Sequence, residues 1–214
     1  MGDVVVLISV FAIFIPALML PGPDFVAVVR SSMTRGTSAG LLTTLGVSAG
    51  LGLYAALSLL GLSAILVEYQ WLAWSVRVLG GSYLVYLGIR LLCARPEAID
   101  VVAEGDNGND KPRGNPLLFG FLVTLTNPKA IVLFTSVFAT AVTGQTPFWL
   151  MCSMIVLVVA CSLTWYAIVS FFMSSARVIR RFRNARHWIE RAAGFCFIGI
   201  GSRILADSRN PVTP

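Results

Sequence analysis

Charge is absent from two long stretches of this chain: none occurs between Arg35 and Glu68, or between Lys129 and Arg177. Each stretch exceeds the roughly 18–20 apolar residues that cross the hydrocarbon core of a bilayer. A β-barrel would show short alternating segments instead. The pattern predicts an all-α integral membrane protein with six transmembrane helices. Span 1 is expected over Val4–Leu20, with a helical resumption over Phe25–Met33. Spans 2 to 6 are expected over Leu41–Leu66, Leu72–Leu92, Pro116–Val142, Phe148–Met173 and Ala192–Ala206. The first segment is read as a retained span: it opens with Asp3 and no basic residue, and Pro-Gly-Pro follows it instead of a small-residue cleavage site.

Two of these spans are interrupted. Leu20-Pro21-Gly22-Pro23-Asp24-Phe25 and Thr126-Asn127-Pro128-Lys129-Ala130 each place helix breakers and then a charge inside an apolar run. Proline removes a backbone donor and clashes with the preceding turn. In water this would be an ordinary turn. In lipid the freed backbone groups need partners that only protein, or a polar ligand in a cavity, can supply. Half-helix N-termini attract carboxylates, and the carbonyl ends before them attract cations. Asp24, Pro21, Gly22, Pro23, Asn127, Pro128 and Lys129 are therefore the candidate substrate-binding residues. The competing reading is a permanent Asp24–Lys129 bridge or snorkelling charges, with prolines that only kink helices. Gly36, Gly40, Gly46 and Gly50 form small-xxx-small pairs suited to close helix packing.

The polar segments between the spans carry a topology. With the Arg30/Arg35 loop in the cytoplasm, the loop with Arg90, Arg95, Lys111 and Arg113 falls on the same side. So does the segment Arg177–Arg191, with its six arginines. Both termini are then periplasmic, in agreement with the positive-inside rule. The arginine-rich segment has an apolar stripe, Val178, Phe182, Ala185 and Ile189, and reads as a basic amphipathic helix on an anionic leaflet. Residues 94–115 are polar and rich in turn formers, a solvated cytoplasmic linker. It separates a first three-helix repeat, 1–93, from a second, 116–207, and residues 208–214 form a polar tail. The halves echo each other. Pro23-Asp24 aligns with Pro128-Lys129, and Trp74-x-x-Arg77-x-x-Gly80 with Trp188-x-x-Arg191-x-x-Gly194. Three spans per half make the second repeat inverted, the arrangement of secondary transporters with broken helices.

Composition agrees. Of 214 residues, 57% are apolar and only 12% charged, about half the share in an average soluble domain. The net charge of +6 is accounted for by cytoplasmic loops, so no nucleic-acid partner is expected. Cys93, Cys152, Cys161 and Cys196 lack CxxC spacing and read as small apolar fillers. His187 is the sole histidine, which excludes a histidine metal cluster, and no cofactor is implied. No GxxxxGK[ST] phosphate loop occurs for an ATP-driven pump. No nucleophile–base arrangement points to an enzyme.

Three stretches resemble the lysine exporter (LysE/RhtB) superfamily of bacterial amino-acid exporters: LPGPDFVAVVRSSMTRGTSAGLLTTLGVSAG, LTNPKA and GGSYLVYLGIRLL. The resemblance covers nearly all the chain except linker and tail. It implies a six-helix carrier of the bacterial inner membrane that exports amino acids using an ion gradient, here the proton gradient. Its partners are then an amino acid, the coupling ion and the lipid bilayer, with oligomerisation left open. A cation or metal exporter of the same superfamily is the alternative. It would want several acids, thiols or histidines inside spans, and only Asp24 is convincing there. In the mechanism these residues suggest, Asp24 receives the ammonium of a zwitterion, the coupling proton, or both in alternation. Lys129 and the adjoining helix N-terminus receive the carboxylate. A single deep acid favours neutral over dicationic amino acids.

Overall fold

The structure is a computed structural model. It describes residues 2–62, 69–93, 114–138, 146–172, 191–192, 194–199 and 201–206. The 94–113 part of the linker, the arginine-rich segment before Arg191, the Glu68 connection and the tail lie outside the described residues. All described elements are helical. They are α1 (Gly2–Met19), α2 (Pro23–Arg35), α3 (Thr37–Ala56), α4 (Gln70–Leu92), α5 (Pro116–Leu125), α6 (Pro128–Leu133), α7 (Phe148–Phe172) and α8 (Gly194–Ala206). A π-helical stretch, Leu57–Leu62, prolongs α3, and another, Phe134–Phe138, prolongs α6.

Thr37–Gly61 and Phe148–Phe172, 25 residues each, are long and apolar enough to cross a membrane. The pairs α1/α2 and α5/α6 pass the same test together, bent by 44° and 54° at their breaks. Two spans therefore stand among the described residues, or four if each bent pair is one. The helices expected as spans 3 and 6 are not among them. Helix α4 is diluted by Gln70, Ser75, Arg77, three glycines and Arg90, and α8 is short.

Helix ends follow local chemistry. Pro23, Pro116 and Pro128 each open a helix, where the missing N–H costs nothing and the fixed φ already suits the first turn. Asn115 and Asn127 accept from the backbone N–H of Leu117 and Lys129, both at 3.0 Å, so one Asn-Pro pair starts each half of the second broken helix. The turn between α2 and α3 is a single residue, Gly36, at φ 86°, a region that a Cβ disfavours. A Cβ there would meet nothing within 4 Å. Gly36 thus serves the turn and not the helix packing expected of it.

Helix α3 is the centre of the molecule, packed against α2, α5 and α7. Its approach to α5 is close enough that a Cβ on Gly46 would collide with the Leu117 carbonyl, and one on Gly50 would lie 2.8 Å from Thr124 Cβ. A Cβ on Gly40 would strike the Ser32 hydroxyl. Helices α4 and α8 also cross on glycine: Gly88 faces the Gly194 carbonyl and Gly81 the Gly201 carbonyl. Where lipid is as apolar as leucine, such contacts replace the hydrophobic effect in holding helices together. Cys93 and Cys196 lie exposed, so only Cys152 and Cys161 are partly packed inside.

Candidate functional site

The two breaks meet. Asp24, the second residue of α2, is 2% exposed, and Asn127, which precedes α6, is 1% exposed. Asn127 Nδ2 donates to Asp24 Oδ2 at 2.9 Å, and Thr124 Oγ1 donates to Asp24 Oδ1 at 3.0 Å. Both carboxylate oxygens of one half of the chain are thus held by neutral donors of the other. Insertion of such a charge at mid-bilayer costs about 2.5–3.5 kcal/mol, and hydrogen bonds to a charged group return about 1.5–3 kcal/mol each. The two bonds together thus offset the insertion cost of the charge.

Lys129 does not take the place expected of it. Its Nζ donates to Ala17 O at 2.9 Å and Leu20 O at 3.3 Å, so it caps the carbonyl end of α1. A Cβ on Gly22 would lie 3.1 Å from that Nζ, so glycine there gives the ammonium room in its present position. The charge still acts on Asp24 electrostatically, but the direct bridge considered from sequence is replaced by a bond to backbone. Four unsatisfied carbonyls end every helix, and in lipid a lysine from the opposite half is a ready partner. Pro21 and Gly22 are half-buried beside it, and Pro23 and Pro128 present their rings outward.

Four further residues complete the setting without belonging to any break motif. Thr124 is one helical turn before Asn127. Tyr54, one turn beyond Gly50, donates its hydroxyl to Leu125 O at 2.7 Å and so closes the carbonyl end of α5. Tyr166 of α7 is fully buried within electrostatic reach of Asp24. Ser48 of α3 is 1% exposed. Their signal in sequence is faint: hydroxyls recurring at helical spacing, as in Thr44/Ser48 and Ser162/Tyr166/Ser170, within otherwise apolar runs.

The two sides of the site differ. Toward the Gly36 turn, α2, α3 and α7 bury hydroxyls: Thr43 donates to Ser31 at 2.9 Å, and Thr44 and Ser170 share a bond of 3.1 Å. Away from it, aromatic rings close the space. Phe134 and Phe138 lie 4.6 Å apart, Phe14 packs on both at 6.0 and 5.8 Å, and Tyr54 stacks on Phe134 at 6.0 Å. The Gly36 side is also where Arg35 Nη1 donates to Gly114 O at 2.9 Å, bringing the start of the second half to the first loop.

A family model described as LysE type translocator matches residues 15–208. The chain is 31% identical over 201 residues to the threonine efflux protein of Escherichia coli (strain K12), covering 92% of this chain and 96% of that protein. It is 31% identical over 200 residues to the threonine efflux protein of Salmonella typhi, with coverage of 92% and 96%. An uncharacterized membrane protein of Haemophilus influenzae is 27% identical over 210 residues, covering 96% of this chain and 99% of that one. No solved structure matches significantly.

Proposed function

We propose, since the chain belongs to the LysE type translocator family, that it is a secondary transporter of the bacterial cytoplasmic membrane exporting small neutral amino acids. The proton gradient is the coupling force in this reading. The observation that carries it is the carboxylate of Asp24, buried in a helix break and held by Thr124 and Asn127 of the opposite half. An intramembrane acid is a candidate functional site by default, and neutral donors can release it without leaving a bare charge behind. Asp24 then receives the substrate ammonium or the proton in alternation. Pro21, Gly22, Pro23, Asn127, Pro128 and Lys129 form the frame of the two breaks around it.

Substrate charge follows from the same site. Asp24 and Lys129 cancel, so a zwitterion enters without a net change in buried charge, whereas a dicationic amino acid adds one. The threonine efflux proteins among the relatives support a small neutral substrate.

Six spans in two inverted repeats, 1–93 and 116–207, joined by the cytoplasmic linker 94–115, are the architecture we assign. The matching bends of 44° and 54° support it, and so does the Arg35–Gly114 contact, which brings two arginine-bearing loops to one face. The termini are then periplasmic. The hydroxyl-lined side of the site faces the cytoplasm, and the Phe14–Phe134–Phe138 cluster closes the periplasmic side until the halves rock.

Uptake of radiolabelled threonine, alanine and leucine into everted vesicles tests the reading, because export runs inward there. Accumulation of at least one, abolished by a protonophore and by Asp24→Asn, is expected. Transport of the same pH dependence in Asp24→Asn would remove Asp24 from the mechanism.

A further inference from the structure

Proline leaves carbonyls without their usual donors at both breaks. A helix carbonyl ordinarily accepts from an N–H three or four residues ahead. For Leu125 O, Pro128 lies three residues on and has no N–H, and the N–H of Lys129, four residues on, is bound to Asn127 Oδ1. At the first break, Pro21 follows Ala17 by four residues, and Pro23 follows Leu20 by three. Each of these oxygens is served from across the molecule. Lys129 Nζ, beside the second break, donates to Ala17 O and Leu20 O. Tyr54 Oη, on α3 of the first half, donates to Leu125 O at 2.7 Å.

Tyr54 also reaches the far side of its break. Its ring stacks on Phe134, with centroids 6.0 Å apart and planes 15° apart. Leu125 is the last residue of α5, and Phe134 directly follows α6. The two arms of this broken helix meet at a bend of 54°. One side chain therefore holds both arms, the hydroxyl on the first and the ring on the second. Its own seat is fixed as well. One turn earlier on the same face of α3, a Cβ on Gly50 would lie 2.8 Å from Thr124 Cβ, so this face already packs on α5.

The bend matters to Asp24 because its two hydrogen bonds come from different sides of it. Thr124 Oγ1 donates from α5 at 3.0 Å, and Asn127 Nδ2 donates at 2.9 Å from the residue that caps α6. A change of angle between the arms moves one donor relative to the other. We propose that Tyr54 is a positioning residue for the Asp24 site, bracing the second break so that Thr124 and Asn127 reach the carboxylate together. Its part in transport rests on the amino-acid exporter reading, whereas the brace itself is a property of the fold.

Tyr54→Phe keeps the ring and removes the donor, and para-aminophenylalanine at position 54 keeps the ring and restores an N–H. Hydrogen exchange of the full-length protein in detergent, read by mass spectrometry, reports the brace. Uptake of threonine, alanine and leucine into everted vesicles reports the site. In Tyr54→Phe, exchange over residues 126–134 should quicken by about two- to tenfold, the value of a neutral hydrogen bond, while α7 exchanges as in the wild type. KM for the transported amino acid should rise by a similar factor with kcat within about twofold, because a loosened Asp24 site loses binding common to ground and transition states. Para-aminophenylalanine should return both readings toward wild type. Unchanged exchange over 126–134, faster exchange in α7 as well, or an unchanged KM overturns the proposal, and so does failure of para-aminophenylalanine to rescue. If wild-type vesicles accumulate none of the three amino acids, the exporter reading falls, and exchange alone decides the brace.

Discussion

Gly46→Ala should damage the protein out of proportion to one methyl group. The added Cβ would collide with Leu117 O and stand 2.8 Å from Phe121 N and 2.9 Å from Leu117 C. All three are backbone atoms of α5, so no side chain can swing aside. Restoring an ordinary contact requires α3 and α5 to separate by about 1 Å, and overpacking of this kind costs about 1–3 kcal/mol. For a chain of this size, about 2–4 °C of melting temperature accompanies each kcal/mol, so a fall of about 2–12 °C is expected. Function should suffer as well. Gly50 and Thr124 lie one turn further along the same seam, and a shift of about 1 Å takes the 3.0 Å Thr124–Asp24 bond beyond hydrogen-bonding range. The assay is thermal unfolding of the detergent-solubilised protein, alongside efflux from vesicles. Gly61→Ala is the control, because a Cβ there meets nothing within 4 Å. A Gly46→Ala protein that melts with the control and transports normally would refute the close α3–α5 seam and its link to the site.

Asn127→Ala removes the cap on Lys129 N and a bond to Asp24 together. The cap is worth about 0.5–2 kcal/mol and the bond to a charged group about 1.5–3 kcal/mol. Asn127→Ala should therefore destabilise more than Thr124→Val in the same melting assay. Lys129→Met frees the Ala17 and Leu20 carbonyls and strips Asp24 of its compensating charge. The Asp24→Asn/Lys129→Met double variant should accordingly be more stable than the sum of the singles, by about 0.5–3 kcal/mol; strict additivity would show that the charges do not communicate. Cysteines introduced at Thr146 and Arg183 should react with an impermeant thiol reagent from opposite faces of the membrane, and labelling from one face would break the proposed topology.

The membrane class and the two breaks were legible in the residues alone, because both depend on local facts. A charge-free apolar run cannot be hidden in water, and proline beside glycine cannot continue a helix. Asn115-Pro116 and Asn127-Pro128 could likewise be read as helix starts, since a side-chain cap needs only its own next turn. The partner of each charge was not legible. Asp24 finds Thr124 and Asn127 a hundred residues away, and Lys129 turns from Asp24 to the end of α1. Sequence order does not encode which carbonyls a 44° bend leaves exposed to an ammonium. Gly36 looked like its neighbours Gly40 and Gly46, and only the backbone angle separates a turn from a packing seam. Local chemistry thus decided where the helices break, and long-range packing decided what each broken end holds.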